Sequence, residues 1–153
     1  MTKAGAYEKA WRLGFKRDFS LVDKIYHPDY KSYDYRTGIE ANIEDDKVIV
    51  SSRNQTTTIG PFKTIFENEN FVCIECFVRR HYDELCESNP DYMARMTAIH
   101  YKNNKIIEQK TNVQLLDFDP SEGQDWNWKI TSDWIGEGEP IIFFEWLVPL
   151  MVC

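Results

Sequence analysis

Apolar residues recur at helical spacing near the start of the chain, with charged residues on the opposite side of the spiral. This pattern is typical of an amphipathic helix that packs against a core. The apolar stripe consists of Tyr7, Ala10, Trp11, Gly14 and Phe15. A second helix is predicted to begin at Ser20 and to end before Pro28, because the residue before a proline disfavours helical geometry.

The next segment gives a weaker signal. "YKSYDYR" (30–36) predicts a short strand, after which Thr37 can cap a turn of helix over the "GIEANIED" that follows. The β-branched residues of 44–58 favour a strand, but Asp45 or Asp46 could equally cap a helix there. Both interpretations of 44–58 remain open.

The second half of the chain predicts an antiparallel sheet, because apolar and polar residues alternate along it. The predicted strands cover 62–69, 70–82, 92–102 and 105–117. Two asparagines separate the last two strands and predict a two-residue hairpin, since Asn tolerates positive φ. That turn pairs Lys102 with Lys105, and a regular ladder then places His100 opposite Ile107.

This register gives the hairpin one face of small and apolar residues with a few polar groups among them. The face consists of Ala94, Met96, Ala98, His100, Ile107, Gln109, Thr111, Val113 and Leu115. Such a composition suits the floor of a ligand pocket. The apolar residues of "KIIEQKTNVQLLD" (105–117) fall on both faces, and Gln109 and Thr111 interrupt the row of Ile107, Val113 and Leu115. A strand that only closes a core would keep one face apolar, so we interpret Gln109 and Thr111 as pocket-lining groups.

The composition is that of a folded protein. The chain has 153 residues, of which 42% are hydrophobic, 28% charged and 14% aromatic, and this length suffices for one core. The net charge of −7 argues against binding to nucleic acid or to an anionic membrane, since either partner requires a basic face. We therefore expect one domain over 1–153 with neither kind of partner.

The two ends of the sequence differ in character. The amino end lacks the hydrophobic core of a secretory signal, so a cytoplasmic location is expected. The carboxyl end, "PIIFFEWLVPLMVC", is strongly apolar but shorter than the ~20 residues of a membrane-spanning helix, and it contains Glu145 and Pro149. We expect this segment to be a strand or tail buried against the body or a partner.

Cys73 and Cys76 form a C-x-x-C pair, a spacing found in metal and redox sites. The surrounding sequence reads as a strand, in which residues three apart point to opposite faces. The two sulfurs therefore cannot share a metal ion. The histidines show no metal-binding spacing either, so we expect neither a metal nor another cofactor.

With "YHPDYKSYDYRTG" after two helices and "NNKIIEQKTNVQLLD" in the last hairpin, the chain resembles the nuclear transport factor 2-like superfamily, in particular its SnoaL-like branch. The resemblance covers about residues 4–118 and leaves 119–153 as an extension. It implies an α+β fold, in which N-terminal helices pack in the concave face of a curved, mostly antiparallel sheet. This cone encloses a pocket that serves cyclases, isomerases and dehydratases, while other members are non-catalytic dimerising modules.

SnoaL-like cyclases typically carry a run such as Lys-Ile-Val-Glu-His-Trp-Asp in the last hairpin, and its Asp is the acid or base of the pocket. Here "KIIEQKT" places Gln109 at the position of the His and Thr111 at that of the Asp. Neither side chain exchanges a proton near neutral pH. The resemblance thus implies that any catalytic acid or base lies elsewhere in this chain.

Two residues are candidates for that role. Asp34 lies on a strand that lines the pocket in related proteins, and His100 lies on the predicted pocket face. Asp34 could instead be a solvated carboxylate paired with Arg36, and His100 could contact water at the sheet rim. The candidate ligand-binding residues are Trp11, Phe15, Tyr33, Met96, Gln109 and Thr111.

These residues predict a protein that binds a small, largely apolar ligand in the cone, with a cyclase-, isomerase- or dehydratase-type reaction if it is an enzyme. The alternative is a non-catalytic dimerisation or interaction module. In either case the resemblance favours a homodimer formed through the outer sheet face and the C-terminal extension.

Overall fold

The structure, a computed structural model, describes residues 1–53, 56–81 and 90–128. The helices are α1 (Lys3–Phe15), α2 (Ser20–Ile25) and α3 (Ile43–Arg53), and the strands are β1 (Tyr26–Asp34), β2 (Ile39–Ala41), β3 (Thr57–Ile59), β4 (Lys63–Glu67), β5 (Phe71–Arg80), β6 (Asp91–Lys102) and β7 (Lys105–Leu116). The expectation for the apolar carboxyl end concerns residues outside the described ranges.

The strands form one curved, open sheet in the order β2-β1-β7-β6-β5-β3, with β4 beside the first half of β5. All neighbours are antiparallel except β1 and β7, which are parallel. The helices pack against the inner face of this sheet. The predicted α+β architecture, with N-terminal helices in the concave face, is confirmed.

The core lies between the stripe of α1 and the inner face of the central strands. Every residue of the predicted stripe is buried, because one side of α1 faces the sheet while its charged side faces solvent. The largest fully buried side chains of this core are Val22 of α2 and, on the sheet, Val72, Ile99 and Ile106. The first helix is therefore correctly predicted by its apolar periodicity.

A β-bulge in β7 explains why the apolar residues of this strand fall on both faces. The hairpin starts as predicted, with Lys102 opposite Lys105, and Tyr101 pairs with Ile106. The next pair is His100 with Glu108, so Ile107 is an extra residue without a partner. Across such a bulge the odd- and even-numbered residues of the strand exchange faces, compared with the positions between the turn and the bulge. Ile106 before it and Gln109 after it consequently both point inward, and both are buried.

The predicted pairing beyond the turn is wrong for this reason. With the bulge, Gln109 lies opposite Ile99, and Thr111 lies opposite Thr97. The inward residues of β6 are therefore odd-numbered, and the predicted even-numbered face looks outward. Met96 and His100 lie on this outer face and are exposed. Their predicted position on the pocket floor is thus corrected.

The ambiguous middle segment contains both elements that were left open. A helix, α3, is followed by the short strand β3. The helix begins after Asn42, whose side chain accepts a hydrogen bond from the Asp45 amide at 2.9 Å, while the Asp45 carboxylate accepts one from the Asn42 amide at 3.0 Å. This reciprocal capping box fixes the start of α3. The helical turn predicted directly after Thr37 is wrong, because β2 pairs there with β1.

The chain after β7 packs back onto the sheet. The carboxylate of Asp119 accepts a hydrogen bond from the indole of Trp128 at 3.0 Å. The ring of Trp126 stacks on Phe77 with centroids 6.3 Å apart, and Trp128 contacts Tyr92. Trp126 and Trp128 therefore cover aromatic side chains of the sheet.

The inward and outward faces of β6 should differ in their contribution to stability. Ile99→Ala is expected to lower the free energy of unfolding by about 2–5 kcal/mol, because a fully buried side chain leaves a cavity. The matched change Met96→Ala, at a residue with 46% exposure, should cost less than about 1 kcal/mol. Urea unfolding of both variants tests the register, and equal losses would contradict it.

Candidate functional site

A cavity of about 290 Å³ lies between α1, α3 and the inner face of the sheet. Its volume is near the lower end of the range found for natural ligand pockets. Most of its wall is apolar, formed by Trp11, Phe15, Ile49, Val50, Ile59, Phe62, Val78, Met93 and Val113. Polar and charged side chains enter it from β1, α3, β6 and β7, so one space combines an apolar wall with hydrogen-bonding groups.

Asp46 provides a carboxylate in this cavity. It stands in the first turn of α3 and is held by two hydroxyls of β1. Tyr30 donates a hydrogen bond to Oδ2 at 2.8 Å, and Ser32 donates one to Oδ1 at 3.1 Å. Burial raises the pKa of Asp46 and outweighs these hydrogen bonds and the charge of Arg95, which lower it. Asp46 is therefore a stronger base than an ordinary surface aspartate.

Arg95 provides a positive charge in the same cavity. It lies in the middle of β6, opposite Cys76 on one side and Val113 on the other, and it lines the cavity. Although its charge lowers the pKa of Asp46, the two side chains, both in the described part of the chain, form no direct ion pair. A ligand in the cavity thus meets a carboxylate and a guanidinium that do not neutralise each other by contact.

Gln109 is positioned by a chain of buried hydrogen bonds. The Trp11 indole donates to the hydroxyl of Tyr26 at 2.8 Å, and that hydroxyl donates to Oε1 of Gln109 at 3.2 Å. Burial raises the pKa of the Tyr26 hydroxyl well above its ordinary value, so it remains a donor. The Gln109 oxygen is consequently occupied. Its amide NH₂ group has two donors, one of which hydrogen-bonds the Tyr7 hydroxyl and lowers the pKa of that phenol, so the other donor is left for a further acceptor.

Tyr7 adds a second phenol to the cavity wall. Burial raises its pKa to about 12, although the positive charge of Arg95 acts in the opposite direction. Its hydroxyl therefore stays protonated at neutral pH and can donate a hydrogen bond.

Most of the predicted site residues do line the cavity: Trp11, Phe15, Tyr33, Asp34, Gln109 and Thr111. The parallel pairing of β1 with β7 brings Asp34 directly beside Thr111. The Asp34 carboxylate accepts a hydrogen bond from the backbone amide of Arg36 at 2.8 Å. Met96 and His100, by contrast, are absent from the cavity wall because they lie on the outer face of the sheet.

Two residues of the cavity wall, Asp46 and Arg95, were missed, and the sequence contained a signal only for Asp46. Asn42 and Asp45 have the spacing of a capping box, which places Asp46 inside the first helical turn and removes it from the cap. The predicted register leaves Arg95 off the pocket face, because this residue alternates with the small and apolar Ala94, Met96 and Ala98. Only the tertiary fold shows that this arginine points inward.

The structure also bears on metal binding and on membrane-spanning helices. Among residues 1–53, 56–81 and 90–128, no three His, Cys, Asp or Glu side chains come together in a way that could hold a metal ion. Cys73 and Cys76 lie on opposite faces of β5, as predicted, and both are free thiols. In the same part of the chain, no helix has the length and apolar character required to cross a membrane.

No family model and no curated protein matches the sequence. Solved structures do match the fold. A proposed SnoaL-like polyketide cyclase from Jannaschia aligns with a TM-score of 0.59 and 8% identity, over 72% of this chain and 84% of the other. IdmH, a proposed polyketide cyclase from Streptomyces antibioticus, aligns with a TM-score of 0.54 and 14% identity, over 73% of this chain and 92% of its own.

A third structure comes from Catenulispora acidiphila and is described as having a ketosteroid isomerase-like fold, in complex with trimethylamine. It aligns with a TM-score of 0.55 and 14% identity, over 72% of this chain and 85% of the other. The chain has the nuclear transport factor 2-like fold. The sequence resemblance to this superfamily and to SnoaL-like proteins is confirmed at the level of the fold, since identities this low show no more.

The raised pKa of Asp46 in this nuclear transport factor 2-like fold predicts a specific pH dependence. Above the ordinary pKa of 3.8, the unfolded chain loses the Asp46 proton before the folded protein does, so this group makes stability fall as pH rises through that window. Above the folded-state pKa the full cost of burying the charge remains. Asp46→Asn should therefore gain stability relative to wild type as pH rises.

Urea unfolding of both proteins from about pH 3 to 7 measures this gain. Asp117→Asn, which removes an exposed carboxylate outside the cavity, is the matched control and should gain less. A wild-type protein that becomes steadily more stable than Asp46→Asn with rising pH would contradict the predicted sign.

Proposed function

We propose that this protein binds a small, largely apolar ligand with a carbonyl group and moves a proton at the carbon beside it. Isomerisation, cyclisation and dehydration reactions all include such a step. The observation that carries the proposal is Asp46, a carboxylate whose pKa is raised by burial in a cavity that also contains the guanidinium of Arg95, which it does not contact directly. Perturbed acids in clefts are typical of catalytic sites.

Asp46 takes the role of base that Thr111 cannot fill. A threonine hydroxyl does not accept a proton near neutral pH, whereas a carboxylate with a raised pKa removes one more effectively than an ordinary carboxylate does. The hydrogen bonds from Tyr30 and Ser32 fix the orientation of the group. The charge of Arg95 favours the ionised form and so opposes the effect of burial on the pKa.

Arg95 and the Gln109 amide stabilise the oxygen of the ligand in this proposal. Removing a proton next to a carbonyl moves negative charge onto its oxygen, and donors already in place stabilise that charge without reorganising. Arg95 carries a full positive charge on the inner face, and the NH₂ group of Gln109 is held by the chain from Trp11 through Tyr26. The apolar wall would orient the rest of the ligand.

Asp34 is a second acid for the same reaction. Because it lies beside Thr111, it stands one strand away from the position where SnoaL-like cyclases carry their acid. It is half-buried at the cavity wall, so it can exchange protons with solvent. We propose that Asp34 returns or removes a proton at the far side of the ligand, in support of Asp46.

The experiment uses a β,γ-unsaturated bicyclic ketone, whose conjugated isomer absorbs ultraviolet light. Asp46→Asn should lower kcat by about 10²–10⁴-fold with little change in ligand affinity, because loss of a general base affects proton transfer more than binding. Asp34→Asn should have a smaller effect. Stopped-flow absorbance measures the rate.

Met96→Ala on the outer face serves as the control and should leave the rate unchanged. If Asp46→Asn retains full activity while Asp34→Asn loses it, Asp34 is the base and the assignment is wrong. If the wild-type protein shows neither turnover nor binding with any of a panel of steroid- and polyketide-like ketones, the proposed function is rejected.

The second candidate function is a non-catalytic homodimeric module. It is favoured by exposed apolar side chains on the outer face of the sheet, where Phe66 is 52% and Met96 is 46% exposed. Exposed apolar groups that share a sheet face often mark an interface. We propose that two copies pair through this face together with the C-terminal extension.

The double variant Phe66→Lys and Met96→Lys should convert such a dimer into monomers, because buried like charges oppose association. Sedimentation velocity measures the state directly. Val48→Lys, at a residue of α3 with 68% exposure, is the control and should remain dimeric. A wild-type protein that sediments as a monomer would rule out this interface.

A cytoplasmic location is part of the proposal. The two described cysteines, Cys73 and Cys76, are free, and unpaired thiols are usual in reducing compartments. Burial raises the pKa of the Cys76 thiol to about 11, so that this thiol stays protonated and unreactive.

A further inference from the structure

Positive charge is concentrated at the cavity of a protein whose overall charge is negative. The chain has 25 acidic and 18 basic residues, yet the cavity wall contains four arginines and only two carboxylates. The arginines are Arg36, Arg53, Arg80 and Arg95, and the carboxylates are Asp34 and Asp46. If charges were distributed at random, the cavity wall would contain more carboxylates than arginines. The observed excess of arginines therefore favours an anionic ligand.

Three of these arginines form what we name the arginine cluster: Arg36, Arg53 and Arg80. They come from three separate elements, since Arg36 follows β1, Arg53 ends α3 and Arg80 ends β5. Their charges act on one another: partial burial lowers the pKa of Arg53, and the charges of Arg80 and Arg36 lower it further. Like charges that converge in this way are unfavourable unless something negative offsets them.

The carboxylates of the cavity offset this cluster only in part, since the charge of Asp34 acts on Arg53 against the larger effects of Arg80 and Arg36. The Asp34 carboxylate accepts a hydrogen bond from the backbone amide of Arg36. The Asp46 carboxylate accepts hydrogen bonds from the hydroxyls of Tyr30 and Ser32. Among the described residues, neither Arg36 nor Arg53 makes an ion pair with an acidic side chain. Both guanidiniums therefore remain available to a group that enters the cavity.

The geometry points to an amphipathic carboxylate as the ligand. Its anionic head is bound by the arginine cluster, and its apolar body lies along Trp11, Phe15 and Phe62. This inference rests on the proposed function, because it names the chemical class of the molecule on which Asp46 and Arg95 act: an acid that also carries a carbonyl group. Arginine suits this task, because its planar donors match the two oxygens of a carboxylate.

The test compares three probes that share one ten-carbon chain: decanoate, decanol and decyl phosphate, each below its micelle-forming concentration. Titration calorimetry on the wild-type protein should show decanoate binding about tenfold or more tightly than decanol, as expected for charge-assisted hydrogen bonds. The preference should weaken with added salt, because screening reduces attraction between charges near the surface. NMR shift changes should map to the residues that line the cavity.

The double variant Arg36→Gln and Arg53→Gln should reduce decanoate affinity about tenfold and leave decanol affinity unchanged. Both residues are exposed, so the fold should tolerate the change. Arg12→Gln removes one positive charge from the outward side of α1, away from the cavity wall, and should leave the decanoate preference intact.

The remaining outcomes separate this inference from the proposed function. Equal binding of decanoate and decanol in the cavity would overturn the carboxylate inference and leave the ligand pocket standing. Tighter binding of decyl phosphate than of decanoate would indicate that the site prefers a phosphate to a carboxylate, and would likewise overturn the carboxylate inference. Absence of binding by all three probes would count against both the inference and the pocket on which it depends.

Discussion

The single extra residue in β7, Ile107, reconciles two requirements that a regular strand could not meet together. Ile106 must fill the core beside the turn, and Gln109 with the residues after it must face the cavity, although the two positions have opposite parity. In a regular ladder the inward side of β6 would meet Glu108 and Lys110, and the cost of burying those charges would disrupt the cone. The bulge turns these charged residues outward and gives β7 a consistent inner face. The composition of the cavity depends on this one local irregularity.

The chemistry of the cavity depends in turn on a balance around Asp46. Burial makes the charged form costly, and the hydroxyls of Tyr30 and Ser32 recover part of that cost. The carboxylate comes from a helix, its hydrogen-bond donors from β1, and the opposing charge of Arg95 from β6. Three segments that are far apart in sequence must therefore fold correctly before the group acquires its altered acidity, which makes this acidity a property of the fold.

The sequence predicted those parts of the structure that depend on local patterns. Periodicity predicts the apolar stripe of α1 and places Cys73 and Cys76 on opposite faces of their strand. Turn chemistry predicts the two-asparagine hairpin. The cavity wall was predicted only in part: Asp34 and Gln109 line it as expected, whereas Asp46 and Arg95 were not named. The only sign of a bulge in the sequence is that apolar residues occur on both faces of a strand. Residue type alone does not distinguish a buried arginine from an exposed one. Long-range packing decides such features.

The capping box at the start of α3 has a consequence for how much the chain length can vary. Asn42 and Asp45 fix the first turn of the helix, and Asp46 reaches the cavity because it is the next residue along. Each residue added between Asn42 and Asp46 would rotate the carboxylate by about 100° around the helix axis. An insertion or deletion there would move the acid out of the cavity, and between Asn42 and Asp45 it would also break the capping box. The turn between β1 and β2 lies before the cap and carries no such restriction on α3, so related sequences that keep this chemistry should vary in length before Ala41 and not after it.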